Sequence, residues 1–250
     1  MSAFDLDGLT AVVTGASRGI GAAIAGGMLR AGADVIALQR GEVPQELAAL
    51  AVAQGRRLRQ VSADLSSEGS IAVAINDALA TGPVDILVNN AGTQIRHDSA
   101  AFPLQDFDAV MNVNVRALFQ LCQGFGAGML ARGRGKIINL ASLLAFQGGL
   151  RVPAYAASKG AVAQLTKALC NEWAPRGVNV NAIAPGYFAT EMNEALIADE
   201  ARSESISSRI PAGRWGEAED IAGAAVFLAS PAADYVHGVV LPVDGGWMAR

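Results

Sequence analysis

Tyr155 and Lys159 open a helical pattern that runs on to Trp173, as Tyr155-Ala156-Ala157-Ser158-Lys159. Residues at i and i+4 share a helix face, so phenol and ammonium can point into one cleft. A free phenol titrates near pH ~10, too high for an efficient base at neutral pH, and a neighbouring cation lowers that value by favouring the phenolate. The chemistry within reach is transfer of one proton to or from a substrate oxygen. Tyr-x-x-x-Lys alone arises readily from helix composition, so its company decides. Ser142 lies just after an apolar run at 136–140, at the edge where parallel sheets bind ligands. Asn114, in Met111-Asn112-Val113-Asn114-Val115, is polar within an apolar helical stretch and requires a buried partner.

A second constellation sits near the N-terminus. Thr14-Gly15-Ala16-Ser17-Arg18-Gly19-Ile20-Gly21 follows an apolar run and opens a helical one. Glycines at these places let the chain turn tightly and let a pyrophosphate approach the helix N-terminus. An ordinary strand-to-helix turn could carry such glycines, but strand, turn and helix stand in the order a dinucleotide site needs.

The elements that must position these groups are legible as short apolar runs at 9–14, 34–38, 58–62, 84–88, 136–140, 178–183 and 239–243. Ala-rich segments of helical period, such as 20–31, 71–80 and 217–229, lie between them. Strands apolar on both faces and separated by helices predict a parallel sheet covered on both sides. The expected fold is a single doubly wound, Rossmann-type α/β domain over 1–250, with a seven-stranded sheet. Residues 186–216 break the rhythm, being polar, charged and helix-like; a small helical lid after the sixth strand is expected there.

Composition narrows the class. The 250 residues carry 19 basic and 23 acidic side chains, a net charge of −4, with 52% hydrophobic residues. That excludes disorder and makes a nucleic-acid scaffold improbable, since duplex binding draws on clustered Lys and Arg. Two cysteines build no disulfide framework; Cys122 and Cys170 read as core fillers. His97 and His237 are too isolated for a zinc centre, so no metal is expected. No apolar run spans a bilayer and the N-terminus lacks a signal-peptide pattern, so a cytoplasmic protein is expected.

At Thr14-Gly15-x-x-x-Gly19-x-Gly21 the chain resembles the short-chain dehydrogenase/reductase family. Asn89-Asn90-Ala91-Gly92, Asp64-Leu65, Pro185-Gly186 with Thr190, and the Ser142, Tyr155 and Lys159 series continue that resemblance along essentially the whole chain. It implies an oxidoreductase using NAD(H) or NADP(H). Cofactor contacts are implied at Gly15, Ser17, Arg18, Gly19, Ile20, Gly21, Gln39, Arg40, Asp64, Leu65, Asn90, Ala91, Gly92, Tyr155, Lys159, Pro185, Gly186, Phe188 and Thr190. By the same resemblance Tyr155 moves the proton, Ser142 holds the substrate oxygen, Lys159 holds the nicotinamide ribose, and Asn114 anchors a proton-relay water. The second strand ends in Leu38-Gln39-Arg40 and lacks the acid that would repel a 2′-phosphate. Arg40 with Arg18 could pair with that phosphate or simply be solvated; NADP(H) is slightly favoured.

Four stretches, 91–96, 145–153, 209–216 and 244–250, resemble the members of the family that act on deoxy and keto-deoxy sugar acids. An acidic sugar needs a cationic anchor: Arg96 and Arg151 flank the catalytic strand ends, with Gln94 and Gln147 available for hydroxyls and Gly186 beside them. Acyl-carrier-protein ketoreductases and neutral-sugar dehydrogenases are the rivals within the family, and a cofactor-binding regulator the rival outside it. A homotetramer is implied by the resemblance, built across the last helix and strand, with Trp247 and Arg250 reaching a neighbour.

Overall fold

Valine, isoleucine and alanine runs that are apolar on both faces pair side by side, because only a doubly covered sheet buries both. The computed structural model describes residues 2–250. Its strands are β1 (Thr10–Thr14), β2 (Asp34–Gln39), β3 (Leu58–Ser62), β4 (Ile86–Asn89), β5 (Gly135–Leu140), β6 (Val178–Pro185) and β7 (Val240–Val243). They form one parallel sheet in the order β3-β2-β1-β4-β5-β6-β7. Alternate residues feed opposite cores. Val12, Leu87 and Ile137 face one, with Ile75, Phe125, Met129 and Trp173. Ala11, Val13, Ile86 and Ile138 face the other, with Ile24, Met28 and Leu228.

The first core is closed by α3 (Glu68–Leu79), α5 (Leu118–Arg132) and α6 (Pro153–Trp173), and α4 (Leu104–Met111) packs on α6. The second is closed by α1 (Gly19–Arg30), α2 (Gln45–Ala53) and α9 (Glu219–Ala229). Strand order reverses between β1 and β4, so a crevice opens beyond their C-terminal ends, where such sheets bind ligands. No described helix is long and apolar enough to cross a membrane.

All seven strands stand where the runs placed them, with shifted ends. The last helix starts at Glu219 rather than at residue 217, because the Asp220 carboxylate accepts from Glu217 N (2.8 Å) and ends the preceding loop there. The 186–216 segment folds as α7 (Glu194–Ile197) and α8 (Glu200–Ser207), pinned at its base by a parallel bridge between Phe188 and Gly216. Between α4 and α5 the helix is π-helical over Asn112–Ala117, a feature no periodicity forecast.

Buried amides tie the sheet to α6. Asn89 Nδ2 donates to Asn139 Oδ1 (2.9 Å), and Asn139 Nδ2 donates to Thr166 Oγ1 (3.0 Å), with Asn139 fully buried. Removing a shared member leaves buried polar groups unpaired, at about 1–3 kcal/mol each. Asn139→Ala is therefore expected to lower stability by roughly 2–4 kcal/mol in urea unfolding, with an unchanged m-value.

Candidate active site

The crevice is a cleft of about 1710 Å³ with two ends. At one end β1 turns into α1. Gly15 has φ +67°, and a Cβ on Gly21 would stand 2.0 Å from Gly15 O and 2.4 Å from Asn90 Nδ2. The loop is fastened from below: Asn90 Nδ2 donates to Thr14 O (3.0 Å) and Gly15 O (3.1 Å), while Thr14 Oγ1 accepts from Asn90 N and Ala91 N. This cradle, which admits no side chain, fits a dinucleotide pyrophosphate. Gln39 adds a second sign, because its buried Oε1 has no partner among the described residues while its Nε2 is held by Gly41 O (3.1 Å). Arg40 faces the same region, and Asp64 has its carboxyl held below the usual range by hydrogen bonds from Ser66, with Arg40 a lesser cause.

At the other end three strand termini converge. Val152 is not helical and Pro153 begins α6, a position where proline's missing N–H costs nothing. One turn in, Tyr155 and Lys159 face the cleft together, with Lys159 Nζ 5.5 Å from the Tyr155 ring centroid. Ser142, in extended backbone after β5, aligns its hydroxyl by accepting from Leu144 N (3.2 Å). Burial pushes the Tyr155 phenol above its ordinary value, opposed by a hydrogen bond with Ser142. Burial also holds the Lys159 ammonium down at about 8, while Nζ donates to Leu140 O (2.6 Å). In the protein alone desolvation of the phenol outweighs the lowering contact from Ser142.

Asn114 stands behind the cleft, 2% exposed. Its Oδ1 accepts from Thr93 N (2.8 Å), and its Nδ2 donates to Thr93 O (2.9 Å) and Ser158 Oγ (3.0 Å). Ser158 Oγ in turn donates to Tyr155 O (2.7 Å). The Asn114 side chain is a bracket between the loop after β4 and the turn that carries Tyr155.

Every other expected site residue lines the cleft except Arg151. That residue has φ +65°, and its side chain pairs with Asp98 (3.0 Å), which turns it away from the cleft wall. Arg96, Gln94 and Gln147 do line it. Tyr187, Arg202, Ile206 and Arg209, in the 186–216 segment, are wall residues that no motif marked. Trp247 also lines this chain's own cleft, its Nε1 donating to Gln147 Oε1 (3.3 Å), and Arg250 donates to Ser208 O (3.2 Å), so neither needs a neighbour to find a contact. For Arg209 and Trp247 the signal was the clustering of aromatic and basic residues in 209–216 and 244–250, whose convergence only the fold reveals; Tyr187, Arg202 and Ile206 carried none.

A family model described as enoyl-(acyl carrier protein) reductase matches residues 15–248. The 2-dehydro-3-deoxy-D-gluconate 5-dehydrogenase of Bacillus subtilis is 50% identical over 248 residues, covering 99% of this chain and 98% of that protein. The enzyme of the same name from Escherichia coli is 48% identical over 252 residues, covering 100% and 99%. Among solved structures, a gluconate 5-dehydrogenase from Burkholderia cenocepacia in complex with NADP and tartrate is 43% identical, covers 99% of this chain and 98% of its own, and superposes with a TM-score of 0.93.

Gly21→Ala tests the cradle. The added methyl meets backbone at 2.0 Å, so the loop must shift. Affinity for NADPH, read by fluorescence titration, is expected to fall on the order of 100-fold, because the shifted amides no longer converge on the phosphates.

Proposed function

The chain belongs to the short-chain dehydrogenase/reductase family and is an NAD(P)-dependent oxidoreductase; from that premise we propose that it interconverts a secondary alcohol and a ketone on a small acidic sugar, of the 2-dehydro-3-deoxy-D-gluconate or 2-deoxy-D-gluconate type. The observation that carries the reading is the convergence of Ser142, Tyr155 and Lys159 at one end of a cleft whose other end is a glycine cradle. The full-length likeness to two enzymes named for such a sugar acid supports the substrate class.

Bound in the cradle, a nicotinamide dinucleotide supplies the acceptor or donor of the hydride. The chain's own groups handle everything else. Ser142 Oγ holds the substrate oxygen and stabilises the charge that develops on it. Tyr155 takes the hydroxyl proton in oxidation and returns it in reduction. Lys159 contributes a positive charge beside the phenol and donors for ribose hydroxyls. Both N–H groups of Asn114 Nδ2 are engaged while Oδ1 accepts only once, so a relay water at this point would donate to Oδ1. Arg40 near Asp64, with no acid closing β2, supports NADP(H) over NAD(H), in line with the NADP bound by the Burkholderia relative. We read the protein as cytoplasmic and as a homotetramer; the unpaired edge of β7 is open to association, and light scattering reads the mass directly.

Assay of a keto-deoxy sugar acid, glucose and an acetoacetyl thioester with both cofactors tests the reading. The sugar acid with NADP(H) is expected to turn over fastest, and Tyr155→Phe to keep NADPH affinity while losing about 10³-fold in kcat. Highest turnover on the thioester would overturn the substrate class. The pH profile follows from the two buried groups. Reduction needs the protonated phenol, kept protonated by its raised value, and the charged ammonium, present below about pH 8. Reduction kcat/KM should therefore hold level up to about pH 8 and fall above it, whereas oxidation, which needs phenolate, should rise with pH through the neutral range.

A further inference from the structure

We infer that Arg209, seated on the Trp247 ring, takes the substrate carboxylate and sets the selectivity for acidic over neutral sugars. The inference rests on the acid-sugar reading above and names the group that enforces it. Arg209 follows α8, and its Cζ lies 4.1 Å from the Trp247 ring centroid. Trp247 is itself fixed: it is 7% exposed, packs with Leu143, Ile206 and Ile210, and donates Nε1 to Gln147. Gln147 belongs to the loop that begins at Ser142, so Ser142, Gln147, Trp247 and Arg209 line one continuous wall of the cleft. A guanidinium stacked on an aromatic face keeps its N–H edges in plane and available as a fork, the geometry that matches a carboxylate.

Charge pairing sets three arginines of this region apart from Arg209. Arg18 is paired with Glu191, Arg151 with Asp98 and Arg214 with Asp220. Among the described residues no carboxylate lies within ion-pair distance of Arg209. Arg96 and Arg202 also line the wall without an ion pair, but neither has an aromatic platform to fix its fork before the ligand arrives. Because Arg209 is carried by the lid segment, the same contact ties that segment to a bound acid. Trp247 acts as a positioning residue, since it holds Arg209 and Gln147 together.

The test uses the full-length protein saturated with NADP⁺ and compares oxidation of 2-deoxy-D-gluconate with that of 2-deoxy-D-glucitol, which carries an alcohol in place of the carboxylate. In Arg209→Gln, KM for the acid should rise about 30-fold while kcat changes less than about threefold, so selectivity for acid over polyol falls about as far. Arg209→Lys, which keeps the charge but not the fork, should recover only part of the loss, and Trp247→Leu should raise the acid KM by about fivefold with Arg209 in place. An acid KM within twofold of wild type in Arg209→Gln overturns the inference, as does an acid-selective loss found in Arg96→Gln or Arg202→Gln instead. In either of those cases a wild-type preference for the acid leaves the broader reading standing. A wild type that takes the polyol as well as the acid removes both.

Discussion

A primary ammonium buried against a backbone carbonyl is the constraint around which the rest of the site is arranged. Lys159 is 5% exposed and its Nζ donates to Leu140 O at the very end of β5, so α6 is indexed to the sheet at one atom pair. Placing that charge out of water is unfavourable, which is why its value falls to about 8. The same low-polarity surroundings push the neighbouring phenol the other way. Protein alone therefore holds a protonated tyrosine next to a lysine that gives up its proton more easily than usual. A positive charge arriving in the cleft acts on both groups, favouring phenolate and further disfavouring the ammonium.

The two sides of the cleft are held by different kinds of contact. The cradle and the catalytic turn are bolted to strand ends by Thr14, Asn90 and Asn114, all of them bonded to main chain. The wall opposite is a short helical segment held by the Phe188–Gly216 bridge, by Ala212 N donating to Gly245 O (2.9 Å) and by Arg250 donating to Ser208 O (3.2 Å), with a small aromatic cluster of Tyr187, Trp215 and Trp247 beneath it.

The fold was largely legible in the sequence because the central strands of a doubly covered parallel sheet read as apolar runs, such as those at 11–13 and 86–88, even though β3 at the edge carries Arg59 and Gln60. The cradle and the Tyr155–Lys159 face were legible for the same kind of reason: their chemistry depends on spacing along one turn or one helix. What spacing cannot convey is direction. Arg151 flanks the correct strand end, yet its left-handed backbone turns the guanidinium to Asp98. Arg209 and Trp247 are 38 residues apart and meet only because β7 returns the chain to the lid. The phenol's raised value likewise depends on how deep the ring sits, which no motif records.

Burial holds the Tyr155 phenol above its ordinary value in the protein alone, and the positive charge of a bound NADP⁺ would lower it. Titration of ring-labelled tyrosine by carbon NMR, with Tyr155 assigned through Tyr155→Phe, measures that directly. The phenol is expected to titrate above the ordinary value of 10.0 in the protein alone and to move to lower pH when NADP⁺ is bound. A Tyr155 signal with the same midpoint in both states would contradict it.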